Sequence, residues 1–152
     1  MVYRAVIQAA KKDCETALLV VRNSIAITPL GTDVLRSLVG WQRRCEERSD
    51  WPGTKLNGET ARVYHFSFNE EVCRVLSEVA DGLFDWVQPG LPEDPCFLSR
   101  NDEPWLVTIA HERDAYFELA PDEHDQLLKT VPQLADLMVL EGNGGGLARL
   151  WK

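Results

Sequence analysis

The chain has 152 residues, 45% of them apolar and 26% charged, with five Trp and five Phe, which suits one globular domain with a single core. Formal net charge is −8 and is split: residues 1–65 carry ten Lys/Arg against seven Asp/Glu, and residues 66–152 carry six against seventeen. A surplus of acid on that scale repels phosphate backbones and attracts cationic surfaces, so nucleic acid is excluded as a partner and a basic protein is favoured.

Tyr3, Ile7, Ala10, Cys14, Ala17 and Val21 recur in steps of four and three, which favours a long amphipathic helix over the first twenty residues. Short strands over 17–21 and 24–28, around Asn23, are the alternative. A second helix is expected from Asp33 to about Glu47, with Val34, Leu38, Trp41 and Cys45 as its stripe. Its outer face then carries Arg36, Arg43, Arg44 and Arg48. Residues 50–60 are punctuated like a loop ending in a turn at Asn57-Gly58. Residues 61–68 alternate as a strand, with Tyr64, Phe66 and Phe68 on the core side.

The clearest helix runs from Asn69 to Val87, where Val72, Val75, Leu76, Val79, Ala80, Leu83 and Val87 share a face. Asn69 is its N-cap, and Pro89-Gly90 stops it. Next comes a β-meander over about 96–119: strands at 96–100, 104–111 and 115–119, with turns at Asn101-Asp102-Glu103 and Glu112-Arg113-Asp114. Pro121, with Asp122 and Glu123 behind it, opens another helix that Pro132 ends. The expected fold is a single α+β domain over 1–141, helices packed on a small, mainly antiparallel sheet. Gly142 and Gly144–Gly146 mark a flexible Gly-rich tail over 142–152.

Chemical signatures are sparse. Cys14, Cys45, Cys73 and Cys96 are far apart and form no C-x-x-C pair, which fits buried, reduced thiols in a cytoplasmic protein. No apolar run is long enough to cross a membrane, and the N-terminus has no signal-peptide pattern. His65, His111 and His124 have no metal-ligand spacing, so neither metal nor cofactor is expected. The glycine run lacks the Lys-Ser/Thr of a phosphate loop, and no nucleophile elbow occurs. His111, in Ala110-His111-Glu112-Arg113-Asp114, could serve as a general acid/base with nearby carboxylates; the plainer reading is a solvated turn.

The acids offer the stronger pattern. Glu78, Asp81 and Asp85 fall on a helix face, Glu93 and Asp94 in a loop, Asp102, Glu103, Glu112 and Asp114 in meander turns, and Asp122 and Glu123 at a helix start. With both turns at one end of the sheet, these would make a docking surface for a basic protein. Asp81, Asp85, Glu93, Asp94, Asp102, Glu103, Glu112 and Asp114 would contact the partner, and Trp105, with Trp86 and Tyr116 as alternatives, would anchor it.

The segments Leu91–Leu98 and Glu103–Glu112, with Ala115-Tyr116, resemble a stretch found in small uncharacterised bacterial proteins. In size and acidity the chain also resembles the immunity proteins that neutralise bacterial toxins. That resemblance implies an inhibitor occluding a basic toxin domain; it assigns no individual functional residue.

Overall fold

In the computed structural model, which describes residues 2–141 and 147–150, the ambiguous N-terminal stretch divides at Cys14. Helix α1 (Val2–Asp13) buries Tyr3, Val6, Ile7, Ala9 and Ala10, and its last turn carries Lys11 and Lys12, which suit the negative end of the dipole. Strand β1 (Cys14–Arg22) follows at once and is buried on both faces. A strand buried on both sides is apolar at almost every position, so its residues also satisfy a helical period. The single long helix is therefore corrected to a helix and a strand.

Helix α2 (Pro29–Leu38) starts earlier and ends earlier than expected. Thr28 caps it, its hydroxyl accepting the Gly31 N–H at 3.2 Å, and Pro29 takes the first helical position. After a single turn at Val39–Trp41 the chain becomes strand β2 (Gln42–Arg48). Arg43, Arg44 and Arg48 thus lie on an edge strand and not on a helix. Two short strands, β3 (Asp50–Trp51) and β4 (Thr54–Lys55), form a hairpin that turns at Pro52-Gly53 rather than at Asn57-Gly58. Gly53 has φ +88°, and a Cβ there would meet Val107 Cγ1 at 2.6 Å, so only glycine lets the hairpin lie this close to the sheet.

Strand β5 (Ala61–Ser67) is where the alternation puts it. Helix α3 (Glu70–Val79) is shorter than its apolar pattern, and Asn69 caps it by accepting the Val72 N–H at 3.0 Å. The chain is extended at Ala80 and Gly82, so Leu83 reaches the core from a short turn. The meander is present as β6 (Glu93–Ser99), β7 (Pro104–Ile109) and β8 (Asp114–Glu118), and α4 (Pro121–Thr130) follows with Pro121 in its first turn. Strands β9 (Met138–Glu141) and β10 (Leu147–Leu150) complete the described chain. Of the tail expected over 142–152, residues 147–150 form β10, and the rest lie outside the described residues.

The main sheet has eight strands in the order β2-β5-β1-β6-β7-β8-β10-β9, with every pairing antiparallel, so the α+β expectation holds and the sheet is larger than foreseen. Phe66, Ala17, Phe97, Leu106, Phe117 and Ala148 lie opposite one another across successive strands and face the helices. Trp86 sits in this core, donating its indole N–H to Tyr3 Oη at 2.9 Å, and Tyr3 donates to the Leu76 carbonyl at 2.6 Å. The opposite face forms a second core of Leu18, Val20, Val63, Cys96, Leu98 and Val107 beneath Trp51 of the hairpin.

Candidate functional site

Pairing places the turns. Cys14 lies opposite Ser99 and Thr16 opposite Ser67, so the start of β1 shares one end of the sheet with the 100–103 turn. Phe117 lies opposite Leu106, which brings the close of β8 and the start of α4 to that same end. Ile109 lies opposite Asp114 at the other end, with Arg22 paired to Ala61. Six residues of β7, about 20 Å of strand, therefore separate Asp102 and Glu103 from Glu112 and Asp114. The single continuous belt is corrected: the two meander turns occupy opposite ends.

The end at the start of β1 is acidic. Asp102 and Glu103 are joined there by Asp13 and Glu15, which straddle the α1–β1 junction, by Glu118 at the close of β8, and by Asp122 and Glu123 in the first turn of α4. All seven are exposed. The nearby cations are Lys12, Arg43, which donates to Thr16 at 3.1 Å in a cleft shared with Asp102, Arg100, which reaches Glu15 at 3.4 Å, and Arg44, which approaches Asp102 at 3.8 Å. These acids act on one another. Partial burial, then the Glu103 field, raises the Glu118 carboxyl above its usual range. Burial, then Asp13 and Glu123, pushes the Cys14 thiol far up.

Asp13, Glu15 and Glu118 escaped the sequence reading because each sits at or beside an element boundary: Asp13 ends α1, Glu15 is second in β1 and Glu118 ends β8. A helix running through Cys14 would have pointed Asp13 and Glu15 in unrelated directions. Correct placement of the α1–β1 junction is the signal that would have found Asp13 and Glu15; Glu118 follows from the β7–β8 pairing, which sets the close of β8 beside Glu103.

The remaining expected contact residues lie elsewhere. Asp81 and Asp85 are at the opposite end, where Arg4 pairs with Asp81 at 3.0 Å and the Asp81 N–H donates to Asp85 at 3.1 Å. Asp114 is ion-paired with Arg149. Trp105 is 3% exposed and meets Phe117 edge to face, so it is core and not an anchor. Glu93 and Asp94, expected in a solvated loop, are 2% and 1% exposed at the start of β6. Asp94 accepts the Trp51 indole N–H at 2.9 Å and the Ala110 N–H at 2.8 Å, so it binds the hairpin and the β7–β8 turn to the sheet. Burial raises both carboxyls; the Asp94 charge adds to the rise at Glu93, and the two hydrogen bonds oppose it at Asp94.

His111 is exposed on the turn after β7, in the wall of a cleft of about 460 Å³ that also takes in Arg22, Thr54, Glu59 and Glu112. Its Nε2 lies 3.8 Å from Glu112 Oε1, outside hydrogen-bond reach. Arg22 Nε and Glu93 Oε2, 3.9 Å apart behind that wall, are buried and make no hydrogen bond among the described residues. A second cleft, about 390 Å³, opens between the hairpin and β2 over Leu18, Val63 and Leu98. His65 lines it, buried and held below its usual pKa first by burial and then by Arg44. Arg44 and Arg48 stand against Glu46, Asp50 and Asp102 around this cleft, so it has no strong preference for either sign of charge.

Among the described residues, no three His, Cys, Asp or Glu side chains gather as metal ligands, and no helix is long and apolar enough to cross a membrane. Cys14, Cys73 and Cys96 are buried, whereas Cys45 is exposed on β2, against the expectation of buried thiols. No protein-family model, curated protein or solved structure matches this chain.

Proposed function

We propose that this chain is a cytoplasmic protein-binding inhibitor that docks a basic partner domain on the acidic end of its sheet. Its partner would be a basic bacterial toxin, occluded as immunity proteins do it. The observation that carries this reading is the convergence of seven exposed carboxylates, from two helix ends and three strand ends, on one rigid edge of the domain. Carboxylates at that edge pair with the Lys/Arg that a nuclease uses for its own substrate. The excess of carboxylates over Lys12, Arg43, Arg44 and Arg100 accelerates capture, and the sheet holds the geometry for slow release.

The enzyme reading, with His111 as general acid/base, has one supporting observation: the cleft wall it shares with Arg22, in front of buried Glu93. Weighing against it, Asp94 has both oxygens occupied and Glu112 is beyond hydrogen-bond distance, so among the described residues none hydrogen-bonds His111 to orient it. Binding accounts for more of the surface.

The test is a pull-down from the native host with three baits: the wild-type chain, Asp102→Lys/Glu103→Lys/Glu118→Lys, and the opposite-end control Asp81→Lys/Asp85→Lys. A basic protein retained by the wild type and the control, and lost by the acidic-end variant, supports the proposal. Its toxicity on expression alone, relieved by co-expression of this chain, would establish inhibition. Equal retention by all three baits, or no enriched protein, contradicts it.

A further inference from the structure

We infer that two copies of this chain pair edge to edge through β2, antiparallel, about a two-fold axis at Cys45. Strand β2 is the outermost strand on its side of the sheet, and no strand among the described residues pairs with its outer edge. Its seven residues, Gln-Arg-Arg-Cys-Glu-Glu-Arg, are exposed apart from half-buried Glu46. Charged side chains normally protect such an edge, because an approaching strand meets like charges.

Here the charge order defeats that protection. With the axis at Cys45, residues whose numbers sum to 90 face one another, so Arg44 lies opposite Glu46 of the second copy and Glu46 opposite its Arg44. Arg43 and Glu47 are level at the next position outward, but each is already held within its own chain, Glu47 accepting the Thr60 hydroxyl at 2.8 Å. Two opposite-charge cross-strand pairs therefore result, Arg44–Glu46 and its symmetry mate, and no like charges lie directly opposite one another. Arg44, Glu46 and Arg48 are on the face shared with His65 and Val63, so the inner pairs meet on one face of the joined sheet. Arg44 already reaches Glu46 within the strand at 3.0 Å, and the pairing would extend this contact across the axis. The irregularity between Gln42 and Arg44 turns Arg43 toward Thr16, whose hydroxyl it reaches at 3.1 Å, so the inner Arg44–Glu46 pairs are the defining ones.

Two further features agree. Cys45 is exposed and directly faces its own copy at the axis; residues opposite one another in an antiparallel pair have Cα atoms about 4.5–5.5 Å apart, within disulfide range. Val39 and Trp41, 62% and 41% exposed, lead into β2, and the register carries Trp41 to the level of Ser49 of the second copy, where burial would stabilise the pair. The β2 edge lies along the side of the sheet, so this inference goes beyond the docking proposal and stands or falls independently of it.

Analytical ultracentrifugation of three proteins tests it: the wild type, Arg44→Glu, and the swapped Arg44→Glu/Glu46→Arg. The wild type is expected to dimerise, and Arg44→Glu, which places Glu opposite Glu, to raise the dimer dissociation constant by about tenfold or more. The swapped variant restores opposite charges and dimerises with itself, yet fails to co-dimerise with the wild type. Mild oxidation links the wild-type and swapped proteins covalently through Cys45 and does not link Arg44→Glu or Cys45→Ser. A wild type that stays a single chain at every concentration overturns the inference, as does a dimer that ignores the charge changes and does not cross-link. If Arg44→Glu folds poorly, the swapped variant and the cross-link still decide the matter.

Discussion

Asp94 accepts the Trp51 indole N–H at 2.9 Å, and this bond between two residues 43 positions apart fastens the β3–β4 hairpin over the second core. The other Asp94 oxygen takes the Ala110 N–H at 2.8 Å, so one carboxylate serves the hairpin and the β7–β8 turn together. A residue assigned to a partner surface thereby becomes a structural clamp.

Removing that clamp leaves two buried donors unsatisfied. Asp94→Ala is expected to cost about 3 kcal/mol, since each orphaned buried donor costs about 1–3 kcal/mol. Urea unfolding measures the loss. Hydrogen exchange should show protection falling first in residues 49–56 and 110–113, and red-shifted fluorescence should report newly wet Trp51. An unchanged midpoint would mean that the clamp contributes nothing.

Glu93 gives the opposite sign. Burial raises its carboxyl in the folded state, so the folded chain holds the proton more tightly than the unfolded chain does. That contribution is present at low pH and is lost as pH rises from about 4.3, the ordinary glutamate value, through the raised one. Glu93→Gln removes the ionisable group, and it is expected to stabilise the fold at neutral pH and to flatten this limb of the stability profile. Unfolding midpoints between pH 4 and 8 compare the two proteins. A variant less stable than wild type at neutral pH would show that the Arg22 pairing outweighs burial.

His65 works in the other direction along the pH axis. Its folded pKa lies below its unfolded one, so the stability it contributes is present above about pH 6.5 and is lost as pH falls below that value. His65→Leu is expected to abolish the loss on acidification while leaving the neutral-pH midpoint close to wild type. An identical acid limb in both proteins would assign the loss to other groups.

Trp105 tests the correction from anchor to core. Trp105→Ala should cost about 3–5 kcal/mol, as large-to-small changes in a packed core do, and Trp105→Phe much less. Thermal unfolding separates them. If Trp105→Ala left stability unchanged, the core assignment would be wrong.

The legibility of this chain followed burial. Strands with one face on each core, β5 to β8, were placed within three residues by alternation and turns, and Asn69 and Pro121 marked two helix starts. Strand β1 was blurred because it is buried on both sides, and β2 because it is exposed on both; neither condition leaves a period of two. Trp41 and Cys45, four apart, then imitated a helical stripe where the chain is a turn and an edge strand. Acidic residues could be counted from the sequence, but their grouping depends on which strand ends coincide, and that follows from pairings far apart in the chain. Glu93 and Asp94 were misplaced for a related reason: Trp51 and Ala110, which occupy Asp94, come from distant segments.

The most direct measurement is the association rate of the captured partner with wild-type chain and with Asp102→Lys/Glu103→Lys/Glu118→Lys, followed by stopped flow across a range of salt. The wild-type rate should fall steeply as salt is added, because exposed charges are screened beyond about 8–10 Å at physiological ionic strength. The variant should associate more slowly at low salt and show a much shallower dependence. Equal rates and equal salt slopes for the two proteins would contradict a docking surface at the acidic end of the sheet.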